Sequence, residues 1–274
     1  MADQIEILVE PSNYFNINFL PLMRKFQARL LKLGLDATIK YESTNPAARK
    51  ILFGAHSKPE NWHYLVKSDD IIVNLEPIYN DGWRAANKNY LTLLNRCRVF
   101  DYDTENCAIL GANSMYMPVP PLSAASGKSE SDSVLFVGAI TPYRERAINL
   151  FHQKEIKIET GFDVFGEDLI KEIQRHRFFL SLVKEDISKF STFRFALCSA
   201  TSTLYFGETG DYSNHPEIET LVGRCLFADY KNAVEEFKGF TGDSQKFSSL
   251  LVLQNALAEY YENEFNALVD GHVV

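Results

Sequence analysis

The chain has 274 residues, a formal net charge of −8 and no run of lysine or arginine. Its length allows one large domain or two modest ones, each with its own core. Nucleic acids and anionic membranes are bound by clustered positive charge, so the composition argues against either as the main partner. A local basic pocket for a phosphate stays compatible with this charge.

Cysteine usage and the first residues bear on the compartment. Cys97, Cys107, Cys198 and Cys225 form no CxxC pair and have no metal-ligand spacing, which favours reduced, mostly buried thiols. The start of the chain carries acids where a signal peptide has basic residues, and no stretch approaches the roughly 20 apolar residues of a membrane span. We therefore expect a cytoplasmic protein with no integral membrane segment.

The first half of the chain predicts strands that alternate with helices. Short apolar runs are typical of buried parallel strands, and the helix has apolar residues three and four apart from Leu20 to Leu33, with Gly34 at its end. The predicted strands are 5–9, 37–41, 51–54, 71–75 and 98–102, and the predicted helix is 19–33.

A segment rich in proline and then serine, 118–133, interrupts this rhythm and predicts a linker. The pattern then restarts. The predicted strands are 134–137, 156–160, 178–183, 202–206 and 225–227, and the predicted helices are 144–153, 167–176, 192–199 and 245–268.

Strand and helix in alternation predict βαβ units and a parallel sheet in each half. The predicted fold class is α/β, with two Rossmann-like domains facing a central cleft. The domains are an N-terminal domain (1–120), a linker (121–133), a C-terminal domain (134–244) and a helix packing across both domains (245–274). Ligands of such sheets bind at the carboxyl ends of the strands, so functional residues are expected just after strands.

The turn after the first strand of the second half is a candidate phosphate site. Gly138 permits a turn without a Cβ clash, and the following helix start offers free N–H groups to an anion. Guanidinium groups match phosphate oxygens. The candidate donor-binding residues here are Gly138, Tyr143, Arg144 and Arg146; the alternative is an ordinary turn with solvated arginines.

Three further loops of the second half are candidates for donor binding. Ser191 and Thr192 suit either an N-cap or a diphosphate, and Arg194 in the first turn opposes the helix dipole unless an anion lies nearby. Phe165 and Gly166 suit the wall around a nucleotide base, or a plain turn. Glu208 is placed to bind ribose or sugar hydroxyls, or to be solvated.

Carboxylate and imidazole groups follow strands of the first half and are candidate general bases. Glu76 and His56 rank first, and Asp101 is the third candidate. Asp101 and Asp103 form a DxD pattern, but a donor metal would then lie in the acceptor-side half, so we expect no metal site. Motifs of serine hydrolases, zinc proteases and kinases are absent from the sequence.

Short segments of both halves resemble GT-B glycosyltransferases of the CgeB-like and family-1 types. The resemblance covers about residues 70 to 230, with motifs of moderate specificity. The segments in the first half are 71–76, 90–94, 99–106 and 117–120, and those in the second are 134–139, 164–167, 190–194 and 207–211.

The resemblance implies a metal-independent glycosyltransferase with no cofactor, in which the C-terminal half binds a nucleotide-sugar donor and the N-terminal half presents a base and a glycan or glycoconjugate acceptor. UDP is the first expectation for the nucleotide. Many retaining members carry a ribose-binding glutamate where this chain has Phe193 and Arg194, and this departure favours an inverting enzyme. The alternatives are a non-enzymatic two-lobed sugar- or nucleotide-binding protein and a sugar-nucleotide epimerase-like enzyme.

Overall fold

The computed structural model describes residues 4–11, 14–78, 81–122, 131–162, 164–183, 189–199, 201–213 and 215–273. These residues form two compact units. The first unit comprises Met1–Val119 with Asn263–Val274, and the second comprises Pro120–Glu262. Most of the predicted linker, residues 123–130, lies outside the described residues. Within the described part, no helix combines the length and the apolar character needed to cross a bilayer.

The first unit is built on a parallel sheet with the strand order β2-β1-β3-β4-β5-β6. The strands are β1 (Gln4–Val9), β2 (Asp36–Lys40), β3 (Arg49–Phe53), β4 (Ile71–Asn74), β5 (Arg98–Asp101) and β6 (Ser114–Tyr116). The helices are α1 (Leu20–Lys32), α2 (Asp81–Ala86), α3 (Lys88–Leu94) and α4 (Thr104–Leu110).

The second unit repeats this design with the order β11-β10-β9-β7-β8, also parallel. The strands are β7 (Ser131–Val137), β8 (Ile158–Gly161), β9 (His176–Ser181), β10 (Leu204–Glu208) and β11 (Leu226–Phe227). The helices are α5 (Pro142–Gln153), α6 (Gly166–Gln174), α7 (Thr192–Cys198), α8 (Tyr230–Thr241) and α9 (Ser244–His272). Strand β7 begins three residues before the predicted 134, inside the predicted linker.

Each sheet has a point where the strand order reverses, between β1 and β3 and between β7 and β9. Ligands of open α/β sheets bind in the crevice outside the carboxyl ends of strands at such a point. The loops after β1, β3, β7 and β9 are therefore the places to look for a site.

The last described residues belong to the core of the first unit. The ring of Phe265 packs edge-on against Phe26 of α1, with centroids 4.8 Å apart, and the Arg29 side chain is ion-paired with Asp270. The Arg49 guanidinium donates to the carbonyl oxygen of Val273 at 2.6 Å. The α9 helix thus supplies its end to one unit and its earlier turns to the other.

Candidate functional site

The turn between β7 and α5 places two arginine side chains beside a glycine. Gly138 has φ +145°, and a Cβ built there would lie 2.9 Å from Arg194 Nη2 and 3.6 Å from Arg144 Nη1. A side chain at position 138 would therefore occupy the space beside both guanidinium groups, and the backbone angle also favours glycine. The structure thus places Gly138, Arg144 and Arg194 together, and their binding of a phosphate stays a prediction.

Arg144 holds the turn against the end of β9. It is 5% exposed, and its guanidinium donates to the carbonyl oxygens of Ala139 (3.0 Å), Leu182 (3.0 Å) and Val183 (3.2 Å). These bonds bridge the loops on the two sides of the point where the strand order reverses. Arg144 therefore positions the site, and its contact with phosphate stays a prediction.

Arg194, in contrast, forms no hydrogen bond or ion pair with any described residue. Its side chain is half-buried, and desolvation lowers the pKa of its guanidinium from the usual value. The Thr192 hydroxyl, two residues earlier in α7, is buried and has no partner among the described residues either. Because unpaired buried polar groups are costly, each of these groups is suited to a ligand that carries oxygen acceptors, and Arg194 also favours negative charge.

Arg146 lies apart from this arrangement. Its side chain is exposed on α5, with its guanidinium carbon 5.9 Å from the centroid of the Tyr143 ring. The structure therefore does not bring Arg146 together with Arg144 and Arg194 in the way that the sequence suggested.

Glu208 at the end of β10 is buried, and both of its carboxylate oxygens already accept hydrogen bonds. Its oxygens accept hydrogen bonds from the Tyr143 hydroxyl and from the backbone N–H groups of Val183 and Tyr230, both at 3.0 Å. Burial raises the pKa of this carboxyl. Glu208 therefore ties three loops of the carboxyl edge together, and its predicted binding of ribose or sugar hydroxyls stays a prediction.

The remaining predicted donor residues lie in the loops that follow β8 and β9. Phe165 is half-buried directly before α6, and Gly166 is buried with φ +58°. Ser191 is the N-cap residue of α7, but its side chain makes no capping hydrogen bond. The capping alternative for Ser191 is therefore not what the structure shows.

In the first unit, the two leading base candidates form a pair. His56 Nε2 lies 3.4 Å from Glu76 Oε1, and both side chains are partly exposed, at 21% and 26%. Burial lowers the pKa of His56 to about 4 and raises the pKa of Glu76 to about 7. A carboxyl group with a pKa close to neutral is well matched to accept a proton at physiological pH.

Asp101 accepts hydrogen bonds from residues that hold the loop of Glu76 in place. It is fully buried and accepts from Asn74 Nδ2 (2.7 Å), Asn106 Nδ2 (2.9 Å) and the Asp103 N–H (3.0 Å). Burial raises its pKa to about 7, against the effect of these hydrogen bonds. Asn74 and Asn106 each donate to the carbonyl oxygen of Glu76.

Asp101 thus orders the loop that carries Glu76, and with no surface of its own it has no access to a substrate. This placement is at odds with a role as the base itself. It also accounts for the DxD pattern, because the Asp103 carboxylate caps α4 by accepting from the Glu105 N–H at 2.8 Å.

The Asp101 network gives a prediction for stability. Asp101→Ala leaves three buried donors without an acceptor, and we expect it to lower the free energy of unfolding by about 3 kcal/mol. Urea unfolding followed by circular dichroism measures this. The matched control is Glu105→Gln, an exposed acid in the same segment, which should change stability by less than about 0.5 kcal/mol; equal effects would contradict the network's role.

Sequence reasoning missed the residues that hold the candidate side chains and their loops in place. Asn74, Asn106 and Tyr90 hold the Glu76 loop, with the Tyr90 hydroxyl donating to Asn74 Oδ1 at 2.9 Å. Tyr230 meets Tyr143 edge-on at 5.4 Å. The only sequence signal was an asparagine at the end of an apolar strand.

The loop after β1 borders a further cavity of about 150 Å³ in the first unit. It is lined by Val9, Glu10, Pro11, Asn16, Ile17, Leu20, Met23 and Tyr41. Its walls are mostly apolar, with polar groups from Glu10 and Asn16, and it lies at the carboxyl end of β1, where Tyr41 after β2 also borders it.

Comparison with known proteins finds similarity in structure alone. No family model matches the chain, and no curated protein sequence matches it. T4 phage β-glucosyltransferase bound to UDP and Mn²⁺ is 11% identical, with 98% of this chain and 99% of that chain covered and a TM-score of 0.62. The AviGT4 glycosyltransferase of avilamycin A biosynthesis is 14% identical, with 98% of each chain covered and a TM-score of 0.50.

The chain has the GT-B fold. A structure of the T4 phage enzyme described as a DNA-modifying β-glucosyltransferase agrees over 98% of this chain and 99% of that chain, at 9% identity and a TM-score of 0.56. The predicted α/β class with two Rossmann-like domains is thereby confirmed. At identities this low the likeness concerns the fold, and the GT-B arrangement is consistent with two units that each carry a parallel sheet.

Proposed function

We propose that the protein is a glycosyltransferase that moves a sugar from a nucleoside-diphosphate donor to a hydroxyl group. The observation that carries the proposal is the Arg194 guanidinium beside Gly138, together with the Thr192 hydroxyl, since neither has a hydrogen-bond partner among the described residues. A diphosphate offers the charge and the oxygen acceptors that these groups lack. The position of Gly138 at the carboxyl end of β7, where the sheet reverses its order, is where such ligands bind.

In this proposal the second unit binds the donor, and the first unit supplies the general base. Arg194 stabilises the negative charge that grows on the leaving diphosphate. Glu76, with a pKa of about 7, removes the proton from the acceptor hydroxyl as that oxygen attacks the anomeric carbon. His56 stays neutral and orients the Glu76 carboxylate.

UDP is the proposed nucleotide, since it is the ligand named with the T4 phage enzyme. The proposed acceptor is a glycan or glycoconjugate. Because one neighbour modifies DNA, duplex DNA is the second acceptor to be tested, although the net charge of −8 disfavours it. We propose inversion at the anomeric carbon, without a metal ion.

Donor binding is the first test. We expect isothermal titration calorimetry to detect one UDP per chain in buffer with EDTA, and UDP-glucose to be consumed with release of UDP once an acceptor is present. Absence of binding by every nucleoside diphosphate tested would overturn the proposal.

The reaction products distinguish the proposed transferase from a binding protein and from an epimerase-like enzyme. A binding protein holds the donor without turnover, and an epimerase-like enzyme changes the sugar while it stays attached to UDP. A transferase releases UDP only as acceptor is glycosylated, and proton NMR of the new linkage shows whether the configuration is inverted. Turnover that requires added Mn²⁺ would contradict the proposal that the sugar transfer needs no metal ion.

A further inference from the structure

A second cluster of chemically active side chains lies at the opposite, amino edge of the sheet in the second unit. Glu159 is the second residue of β8, Glu172 is in the last turns of α6, and His176 begins β9. One candidate ligand atom from each residue lies within 4.8 Å of those of the other two. The proposed donor residues follow the strands, whereas these residues lie where the strands begin.

The hydrogen bonds of His176 orient its ring. Nδ1 donates to the carbonyl oxygen of Glu172 at 2.8 Å, since a carbonyl oxygen only accepts. Nε2 faces Glu159 Oε2 at 3.2 Å. The side chain is 3% exposed, so this contact is shielded from water.

Nε2 and Oε2 are spaced much like two ligands of one metal ion. Their separation of 3.2 Å is close to the roughly 3.3–3.4 Å that tetrahedral metal–ligand bonds of about 2.0–2.1 Å give. An imidazole whose Nδ1–H is bound to a backbone carbonyl is also the usual form of a metal-ligating histidine.

The two carboxylates are held in a way that leaves an oxygen for a cation. Glu159 Oε1 accepts from Lys157 Nζ (2.7 Å) and from the Ser133 hydroxyl (2.8 Å), while Oε2 faces His176. Glu172 Oε2 is bound by Arg175 Nη1 at 3.1 Å. Outer hydrogen bonds of this kind orient metal-binding carboxylates. Glu172 is 29% exposed, so its side chain has room to move its carboxylate closer to the other two ligand atoms.

We propose that Glu159, Glu172 and His176 bind one divalent cation of the Zn²⁺ type. Imidazole nitrogen with carboxylate oxygen suits zinc among the common ions, and water completes the coordination. The ion joins α6 to β8 and β9, so its role is to stabilise the second unit. It is separate from the proposed donor site and has no part in the sugar transfer.

The test adds ZnCl₂ to the full chain after EDTA treatment and dialysis. We expect calorimetry to show one Zn²⁺ per chain and thermal unfolding to shift upward with zinc concentration. Glu159→Gln and Glu172→Gln should each weaken binding by at least about 10-fold. Asp168→Asn, an exposed acid on the same helix, is the matched control and should bind like the original chain.

X-ray absorption of the zinc-loaded protein identifies the ligands. We expect nitrogen and oxygen neighbours only, which separates this site from adventitious binding by the four thiols. Sulfur ligands, unchanged affinity in both glutamine variants, or no binding by the folded chain would each overturn the proposal. In those cases the three residues form a hydrogen-bonded cluster without a metal ion.

Discussion

Replacing Arg194 with methionine is expected to weaken UDP binding by about 10- to 100-fold. Hydrogen bonds to a charged group contribute about 1.5–3 kcal/mol, and each 1.4 kcal/mol is tenfold in affinity. Arg194 has no partner of its own among the described residues, so its donors are available to the diphosphate. Isothermal titration calorimetry of the variant with UDP measures the loss.

The stability of the variant distinguishes binding from folding. A half-buried guanidinium with no partner in the described part of the chain contributes little to the fold, because burial opposes its charge. Arg194→Met should therefore unfold at a temperature equal to or above that of the original chain. Arg224→Met, an exposed arginine before β11, is the matched control for charge. Unchanged affinity in Arg194→Met would refute the assignment of the diphosphate site.

Replacing Glu76 with glutamine should lower kcat by about 10²- to 10⁴-fold, the usual effect of removing a general base, and leave UDP affinity unchanged. The pH dependence is equally specific. Since burial raises the pKa of Glu76 to about 7, the carboxyl group is protonated and inactive below that pH. The value of kcat/KM should rise through pH 7 and then level off.

The midpoint of the pH profile distinguishes the two candidate bases, because their pKa values lie far apart. A midpoint near 7 assigns Glu76, whereas a midpoint near 4 assigns His56, whose pKa is lowered to about that value. Glu60→Gln, an exposed acid in the same stretch of chain, is the control. A full rate in Glu76→Gln would exclude Glu76 as the base.

Much of the fold was predictable because buried parallel strands are continuous apolar runs. The runs at 5–9 and 71–75 are β1 and β4 within a residue, and the helix predicted at 19–33 is α1. The prediction missed β6, whose three residues are half-buried at the edge of the sheet and form no apolar run.

Helix α8 was also missed, although its signals were present. Asp229 caps it by accepting from the N–H groups of Lys231 and Asn232. Apolar residues at 233, 234, 237 and 240 are buried, at helical spacing. The sequence therefore contained the signals that predict α8, and our interpretation of it overlooked them.

For the candidate sites, the sequence indicates where residues lie in the fold but not which hydrogen bonds they form. The rule that ligands bind after parallel strands selected these candidates, and the structure places His56 beside Glu76, and Gly138 beside Arg144 and Arg194. It could not predict which polar atoms are already used. Glu208 and Asp101 look available in sequence, yet neighbouring donors occupy both carboxylates, and such occupancy depends on loops that are distant along the chain.

The ion pair of Arg29 with Asp270 joins residues 241 positions apart, and Phe265 and Val273 complete contacts with the same early segment. A ribosome finishes the entire second unit before it adds these residues. The first unit therefore gains these contacts only at the end of synthesis. Until then Phe26 packs on the rings of its own sheet, Phe53 and Phe100, but lacks the cover of Phe265, so this patch of α1 is exposed during translation.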